Sequence, residues 1–380
     1  MKICENSKCT ACGACRDACP KGCISFVKNE YGAETVVIDE KLCINCGRCS
    51  HVCQVVNPVE KKEPIISYAV CLKDLKKRNA SASGGAAYAL YSKIIEEGGV
   101  AYGATYSDKN VITFKKTDNI EDIAKFQGSK YTYSDMVGTY KEIIEDLRQG
   151  RTVIFIGTSC QCAGIKKFVP EVMQKNLYLT DIICHGMPPA AYYSEYIEEL
   201  DTKYGHIDEI SFRDNNKFRF KAVSNGNTVV EDKAIDNLFM SNYTRKVFYR
   251  DNCYSCDYAC AERISDITIG DYWGKDRFEP TDKGMSVVIC NTEKGVLLFE
   301  KCKNDLFFTL KKYIDIVKTN EQLRGPSEKP YYRDIFLNEY KKNGFMYASS
   351  MTRNKITDDL KKSRHPFQKI KRKIKHLFIG

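Results

Sequence analysis

Four cysteines, Cys9, Cys12, Cys15 and Cys19, recur as Cys43, Cys46, Cys49 and Cys53, the same C-x-x-C-x-x-C-x-x-x-C ladder at an offset of 34 residues. No other feature limits so strongly what this 380-residue chain can fold into. The ladders account for eight of 19 cysteines. Disulfides are the first alternative, but an odd total leaves one thiol over and the N-terminus, MKICENSKCT, has no apolar signal region. The expectation is a cytoplasmic chain whose ladders bind metal.

A 4Fe-4S cubane needs four thiolates around one small cluster, and a tight loop wraps only three of them. In two-cluster ferredoxins the fourth cysteine of each run ligates the other cluster. Cys9, Cys12, Cys15 and Cys53 are therefore assigned to one cluster, and Cys43, Cys46, Cys49 and Cys19 to the second. Structural zinc sites also use C-x-x-C pairs, but zinc does not call for a compressed four-cysteine ladder in two crossed copies. Pro20 follows Cys19 as is usual, whereas Gln54 follows Cys53, a departure. Cys4 and Cys23 are left over and read as ordinary semi-buried thiols.

Between the ladders, ISFVKNEYGAETVVID gives two short β-like runs around a Tyr31-Gly32 turn, and NPVEKKEP (Asn57–Pro64) reads as a linker. From Ile65 strand and helix signals alternate. SGGAAYALYSKIIEEGG (Ser83–Gly99) predicts an amphipathic helix, followed by strand VAYGATY. Helix TYKEIIEDLRQG precedes strand TVIFIG (Thr152–Gly157), a loop and a helix around Ala163–Phe168. Strand LYLTDIIC ends at Cys184-His185-Gly186. This alternation predicts an α/β core with a ligand site at the carboxyl ends of its strands. Residues 205–300 hold more strand-like runs, and beyond Tyr331 the pattern is helical and polar.

The formal charge of +10 suggests nucleic acid until it is located. Eight Lys or Arg and no acid fall in residues 361–380, so the body is near neutral and no nucleic-acid partner is expected. The tail aligns Phe367, Ile370, Ile374, Leu377 and Phe378 on one helical face among lysines. Such a helix suits an anionic membrane surface, and equally a solvated or partner-docking tail.

The segments RNASASGG (Arg78–Gly85), FQGSKY (Phe126–Tyr131), FIGTSCQCAGIKKF (Phe155–Phe168), DIICHG (Asp181–Gly186) and a C-x-x-C followed by SDITIGDYWG (Cys253 to Gly274) occur in this order. Together they resemble the family of coenzyme F420 hydrogenase/dehydrogenase beta subunits over roughly residues 65–330, in which an N-terminal ferredoxin module is a common attachment. The resemblance implies a flavoprotein holding FAD and a third 4Fe-4S cluster beside it. It implies passage of electrons between clusters and a hydride carrier or reducible organic substrate, with coenzyme F420, a deazaflavin, the best-known partner. Cys160, Cys184, Cys253 and Cys256 are the candidate third ligand set, with Cys162 and Cys260 near enough to compete. The alternative is that Cys160 and Cys184 are buried thiols and the later pair binds zinc or nothing. Ser159 stands where the family often has proline.

For FAD the signals are Ser83-Gly84-Gly85 at a helix start, Gly128-Ser129-Lys130-Tyr131, and Gly157-Thr158 between strand and helix. Each alone reads as a cap or turn, and no G-x-G-x-x-G fingerprint is present. His185 is the candidate catalytic acid/base, against a structural histidine in a tight loop. Asp266, Asp271 and Trp273 are expected to shape the site.

The resulting expectation is an α+β chain. A bacterial-ferredoxin-like domain (1–58) precedes an α/β flavin- and cluster-binding domain with a mixed sheet (65–350, in parts of about 65–145 and 150–330). A basic amphipathic tail (355–380) follows. The expected function is an iron–sulfur flavoprotein oxidoreductase, served by a redox partner protein or ferredoxin pool and a small organic or deazaflavin hydride partner. The rivals are a non-catalytic electron-transfer subunit of a larger complex and a redox protein of surface polysaccharide biosynthesis. The expected location is the cytoplasm, with the inner membrane face open through the tail.

Overall fold

The computed structural model describes residues 2–107, 110–214, 217–274, 276 and 284–377, with side chains to Lys362 except that of Asp214. In the N-terminal domain β1 (Ile24–Lys28) pairs antiparallel with β2 (Glu34–Ile38), Ile24 opposite Ile38. Each cysteine ladder wraps a short helix, Ala14–Ala18 or Arg48–His51, entered through a glycine at φ 88° (Gly13) or 73° (Gly47). Only a residue without Cβ takes that left-handed turn freely, which lets three cysteines curl around one point.

The rest of the chain builds one eight-stranded mixed sheet. Its first strands are β3 (Ile66–Leu72), β4 (Val100–Tyr106), β5 (Ile112–Thr117), β6 (Val153–Thr158) and β7 (Leu177–Ile182). A three-stranded antiparallel sheet follows: β8 (Glu209–Asp214), β9 (Lys217–Ser224) and β10 (Asn227–Lys233). The chain then returns to the large sheet with β11 (Ile267–Asp271), β12 (Ser286–Cys290) and β13 (Leu306–Lys311). The strand order is β13-β3-β12-β11-β7-β6-β4-β5. The central block β11-β7-β6-β4 is parallel and the flanking pairs are antiparallel. VIFIGT of β6 is buried throughout, as a strand covered on both faces must be. Strands from residues 65–145 and 150–330 interleave here, so the two anticipated parts share one sheet.

Helix Ala86–Glu96 packs on this sheet beside helix Glu293–Cys302. A second core, dominated by Tyr192, Tyr196, Phe212, Phe239, Phe248 and Phe345, joins the small sheet to helix Ala190–Tyr204 and the C-terminal helix. That last helix, Tyr332–Leu377, breaks at Gly344, where φ is 73°. Its backbone is helical to Leu377, but the side chains of Phe367, Ile370, Ile374 and Leu377, and all of Phe378, lie outside the described residues. No helix among the described residues is long and apolar enough to cross a membrane.

The ferredoxin-like domain is not a separate bead. Ala14, Val52 and Val59 are buried in the same apolar cluster as Tyr140, Ala163 and Ile165. A Cβ on Gly164 would lie 2.6 Å from the Tyr140 hydroxyl and 3.2 Å from Cys12 Sγ. Glycine there lets the Cys12 loop close onto helix Ser159–Phe168.

Candidate electron-transfer and cofactor site

Two compact pockets in the N-terminal domain reproduce the crossed cysteine sets. Cys9, Cys12, Cys15 and Cys53 line one, and Cys19, Cys43, Cys46 and Cys49 line the other. The two leftover thiols are there as well. Cys4 lies against Cys9 and Cys53, and Cys23 Sγ is 3.3 Å from Cys19 Sγ. Isolated cysteines outside a ladder give no spacing signal, so their place at the pockets was not legible in the sequence. The first pocket is turned toward the main domain, while Cys46 is the exposed member of the second set.

A third pocket lies at the carboxyl ends of the central parallel strands, lined by Cys160, Cys184, Cys253 and Cys256. Burial pushes the Cys160 thiol well up, and the neighbouring Cys256, Cys184 and Cys253 push it further. Burial likewise drives Cys184 up to about 12 and Cys253 up to about 11. Four half-buried thiols lining one pocket suit a group that binds them as thiolates, releasing the protons. The two competitors point elsewhere. Cys162 faces the Thr180 carbonyl at 3.5 Å, and Cys260 faces the Glu262 carbonyl at 3.2 Å. Cys71, Cys290 and Cys302 are buried in the core.

The element holding Cys160 is built from its own sequence. Thr158 caps helix Ser159–Phe168 in a reciprocal capping box with Gln161, whose Oε1 accepts from Thr158 N at 2.9 Å. The helix thus starts four residues before the expected Ala163, and Cys160 sits in its first turn. Ser159, where proline is common in the family, donates its hydroxyl to Asp181 at 2.6 Å. Asp181 is fully buried and paired with Arg263, whose guanidinium also donates to the carbonyls of Tyr258 and Cys260. This ion pair fixes the loop that follows Cys256.

Beside the third pocket opens a cavity of about 460 Å³, within the ~300–1,000 Å³ usual for organic-ligand sites. Ser83, Gly85, Gly128, Ser129, Lys130, Tyr131 and Thr158 line it, but Gly84 and Gly157 do not. A Cβ on Gly84 would strike the Val70 carbonyl at 2.3 Å, and one on Gly157 the Phe155 ring at 2.5 Å. Those two glycines serve packing behind the wall. Gly128 keeps open space where a Cβ would stand, at φ +78°. Lys130 Nζ donates to the carbonyls of Gln127, Phe126 and Lys125 at 2.8, 3.1 and 3.4 Å, so it organises its own loop.

Arg213 and Phe218 are among the lining groups outside every motif. Arg213 of β8 reaches across to donate to both carboxylate oxygens of Asp271 at 3.2 and 2.6 Å, and to Tyr131 Oη at 2.7 Å. Its guanidinium also stacks over Phe218 at 4.1 Å. Asp271 therefore shapes the wall, and Trp273, 45% exposed, stands at the same cavity. Asp266 accepts from Leu179 N at 3.0 Å and Thr292 Oγ1 at 2.8 Å, away from the cavity, and splints β7 to β11. His185 lines both the third pocket and the cavity. Burial holds its imidazole below the ordinary pKa, opposed by Glu321, whose Oε1 is 3.8 Å from Nδ1.

The sites are contiguous. Ile38 lines both N-terminal pockets, Thr10 lines the first and third, and Thr158, Cys184, His185 and Met187 line both the third pocket and the cavity. Gln54, the residue in place of proline, bridges the first and third. Its Nε2 donates to Thr10 Oγ1 at 2.9 Å, and its Oε1 accepts from the Tyr258 hydroxyl.

A chain of cysteine sites leading to a ligand cavity defines an iron–sulfur electron-transfer protein. Residues 8–57 match the 4Fe-4S dicluster domain, and residues 150–315 match the C terminus of the coenzyme F420 hydrogenase/dehydrogenase beta subunit. The chain is thus similar to coenzyme F420 hydrogenase/dehydrogenase beta subunits over residues 150–315 and carries an N-terminal domain for 4Fe-4S clusters. A relative from Methanosarcina mazei, a component of its F420H2 dehydrogenase, is 22% identical over 80% of this chain and 85% of its own length. A ferredoxin of Methanocaldococcus jannaschii is 37% identical over 16% of this chain and 87% of its own length. A chain of the F420-reducing [NiFe] hydrogenase complex from Methanosarcina barkeri aligns with a TM-score of 0.47 and 18% identity, over 71% of this chain and 98% of that one.

Proposed function

We propose that this chain is an iron–sulfur flavoprotein oxidoreductase that carries electrons between a protein partner and an organic hydride carrier. The observation that carries this reading is the unbroken run of shared lining residues from the exposed Cys46 site to the cavity. Cys19, Cys43, Cys46 and Cys49 would hold the outermost cluster; Cys9, Cys12, Cys15 and Cys53 the next; and Cys160, Cys184, Cys253 and Cys256 the innermost. FAD bound in the cavity would supply the exchange between single electrons and a hydride.

The chain's own residues fit such a ligand. Gly85, Ala86 and Ala87 line the cavity at the start of the 11-residue helix Ala86–Glu96, whose first-turn N–H groups suit a pyrophosphate. Tyr131 and Tyr243, with ring centres 4.7 Å apart, form an aromatic wall. His185, whose imidazole burial holds below its ordinary pKa, lines the cluster-side end of the cavity and would hold or accept a proton there. The Methanosarcina mazei relative is named as part of an F420H2 dehydrogenase. By that likeness the hydride carrier is of the deazaflavin type, and the chain works with partner proteins.

A fluorescence titration with FAD tests the cavity. Wild type should bind saturably, and Ala87→Trp, a helical lining position, should abolish binding while leaving the visible cluster absorbance unchanged. Absence of saturable binding by wild type, or equal binding by the variant, contradicts the assignment.

A further inference from the structure

Arg250 is a buried cation between two cysteine sites. Its side chain is 5% exposed. It leads the turn that carries Cys253: its N–H donates to the Met187 carbonyl at 2.9 Å, and its carbonyl accepts from Cys253 N at 3.0 Å. It lines the third pocket. From there the guanidinium crosses to the N-terminal domain. Nη1 pairs with the Glu34 carboxylate, and Nη2 donates to the carbonyls of Glu34 at 3.0 Å and Cys9 at 3.4 Å. Tyr133, whose hydroxyl donates to the Ala11 carbonyl at 2.9 Å, lies under it at 5.8 Å. One N–H is left over: Nε is buried and meets no acceptor among the described residues.

Such a buried donor, left unsatisfied, costs roughly 1–3 kcal/mol. It would be satisfied by a sulfur acceptor in the third pocket. Cluster potentials respond to nearby charge and to hydrogen bonds to sulfur. A cation in a poorly solvated gap favours the reduced, more negative state of whatever lies on either side of it.

We infer that Arg250 sets and couples the redox potentials of the clusters at the Cys9/Cys12/Cys15/Cys53 and Cys160/Cys184/Cys253/Cys256 sites, with Glu34 as its counterweight. This rests on the third-cluster reading above. The site at Cys46 is lined by neither Arg250 nor Glu34 and serves as the internal reference. Arg250 reacts with nothing. It is a positioning residue that acts on the two flanking sites through its charge and its hydrogen bonds.

Anaerobic redox titration of the whole chain followed by electron paramagnetic resonance tests this, with signals assigned by their loss in Cys46→Ser and Cys160→Ser. Arg250→Gln should lower the midpoints of the two flanking clusters by about tenfold in the one-electron equilibrium, about 59 mV. Glu34→Gln should raise them, and the double variant should largely cancel. The Cys46 signal should stay put in all three. Loosened packing would not give opposite signs for the two partners. If Arg250→Gln loses iron, Arg250→Lys and Glu34→Gln carry the test; Lys should keep the midpoints near wild type. Unmoved midpoints, or the same shift for both single variants or for all three clusters, overturn the inference. If Cys160→Ser has the same iron and spectrum as wild type, it is the third-cluster reading that fails instead.

Discussion

Gln54 shows how one residue can carry a departure from pattern and a gain in architecture. Proline after the fourth cysteine would cap the loop and do nothing more. Glutamine there is 3% exposed and spans Thr10 and Tyr258, two residues on different domains. Gln54→Pro should leave the Tyr258 hydroxyl buried and unpaired, costing about 1–3 kcal/mol. Chemical denaturation followed by the visible cluster absorbance should show the N-terminal signal melting earlier. Coincident, unshifted transitions would mean the bridge contributes little. Gly164 makes a sharper case. Gly164→Ala would force a methyl against the buried Tyr140 hydroxyl and Cys12 Sγ, with an overpacking cost of about 1–3 kcal/mol. Iron retained per chain after anaerobic gel filtration should fall, and retention equal to wild type would contradict the packing described.

The same contrast explains which residues the sequence disclosed. The ladder cysteines were readable because thiolate geometry around a cubane dictates their spacing. Cys160, Cys184, Cys253 and Cys256 became readable only through a resemblance, since 93 positions separate the first from the third and no local rule spans that gap. Arg250, Arg213 and Tyr258 were not readable at all. Each acts by reaching a residue far off in the chain: Arg250 meets Glu34 across 216 positions, and Arg213 meets Asp271 across 58. Contacts of that kind exist only after folding.

Among the elements, helix Ser159–Phe168 matters most to the site because its first turn holds Cys160 and its middle receives Cys12. The apolar pattern around Ala163 revealed the helix body, while its true start depended on the T-x-x-Q capping pair at Thr158 and Gln161. Thr158→Ala should cost about 0.5–2 kcal/mol. It should also loosen Cys160, so the third cluster should be lost to a chelator faster than the N-terminal two. Equal loss rates for all clusters would show that the cap serves stability alone. The buried parallel strands β6 and β7 were plain from their apolar runs. The small β8–β10 sheet was read only as strand-like: β9 alternates polar and apolar residues and buries Phe220 and Ala222, but β10 stays half-exposed with no alternation.

At the scale of the whole molecule, the cluster sites run from an exposed end to a buried one. Around Cys46 the side chains of Leu42 and Ile44 are 54% and 57% exposed, with Lys41 and Arg48 beside them. An exposed apolar pair over a cluster, with charges of both signs around it (Asp39 and Glu40 beside Lys41), suits brief docking of an electron-transfer protein. Ile44→Asp should slow reduction by a reduced ferredoxin about tenfold and leave reduction by a small viologen dye unchanged. A fall with both donors, or with neither, argues against docking there.

Behind that entrance, Arg250 and Gln54 tie the ferredoxin-like domain to the core, and the third pocket opens onto the cavity. The central claim is that one chain holds all of these centres together. Iron, sulfide and flavin analysis of the anaerobically purified chain tests it most directly. The account predicts about twelve iron atoms, as three four-iron clusters, and about one FAD per chain. About eight irons would remove the third cluster, and a chain without flavin would contradict the oxidoreductase reading.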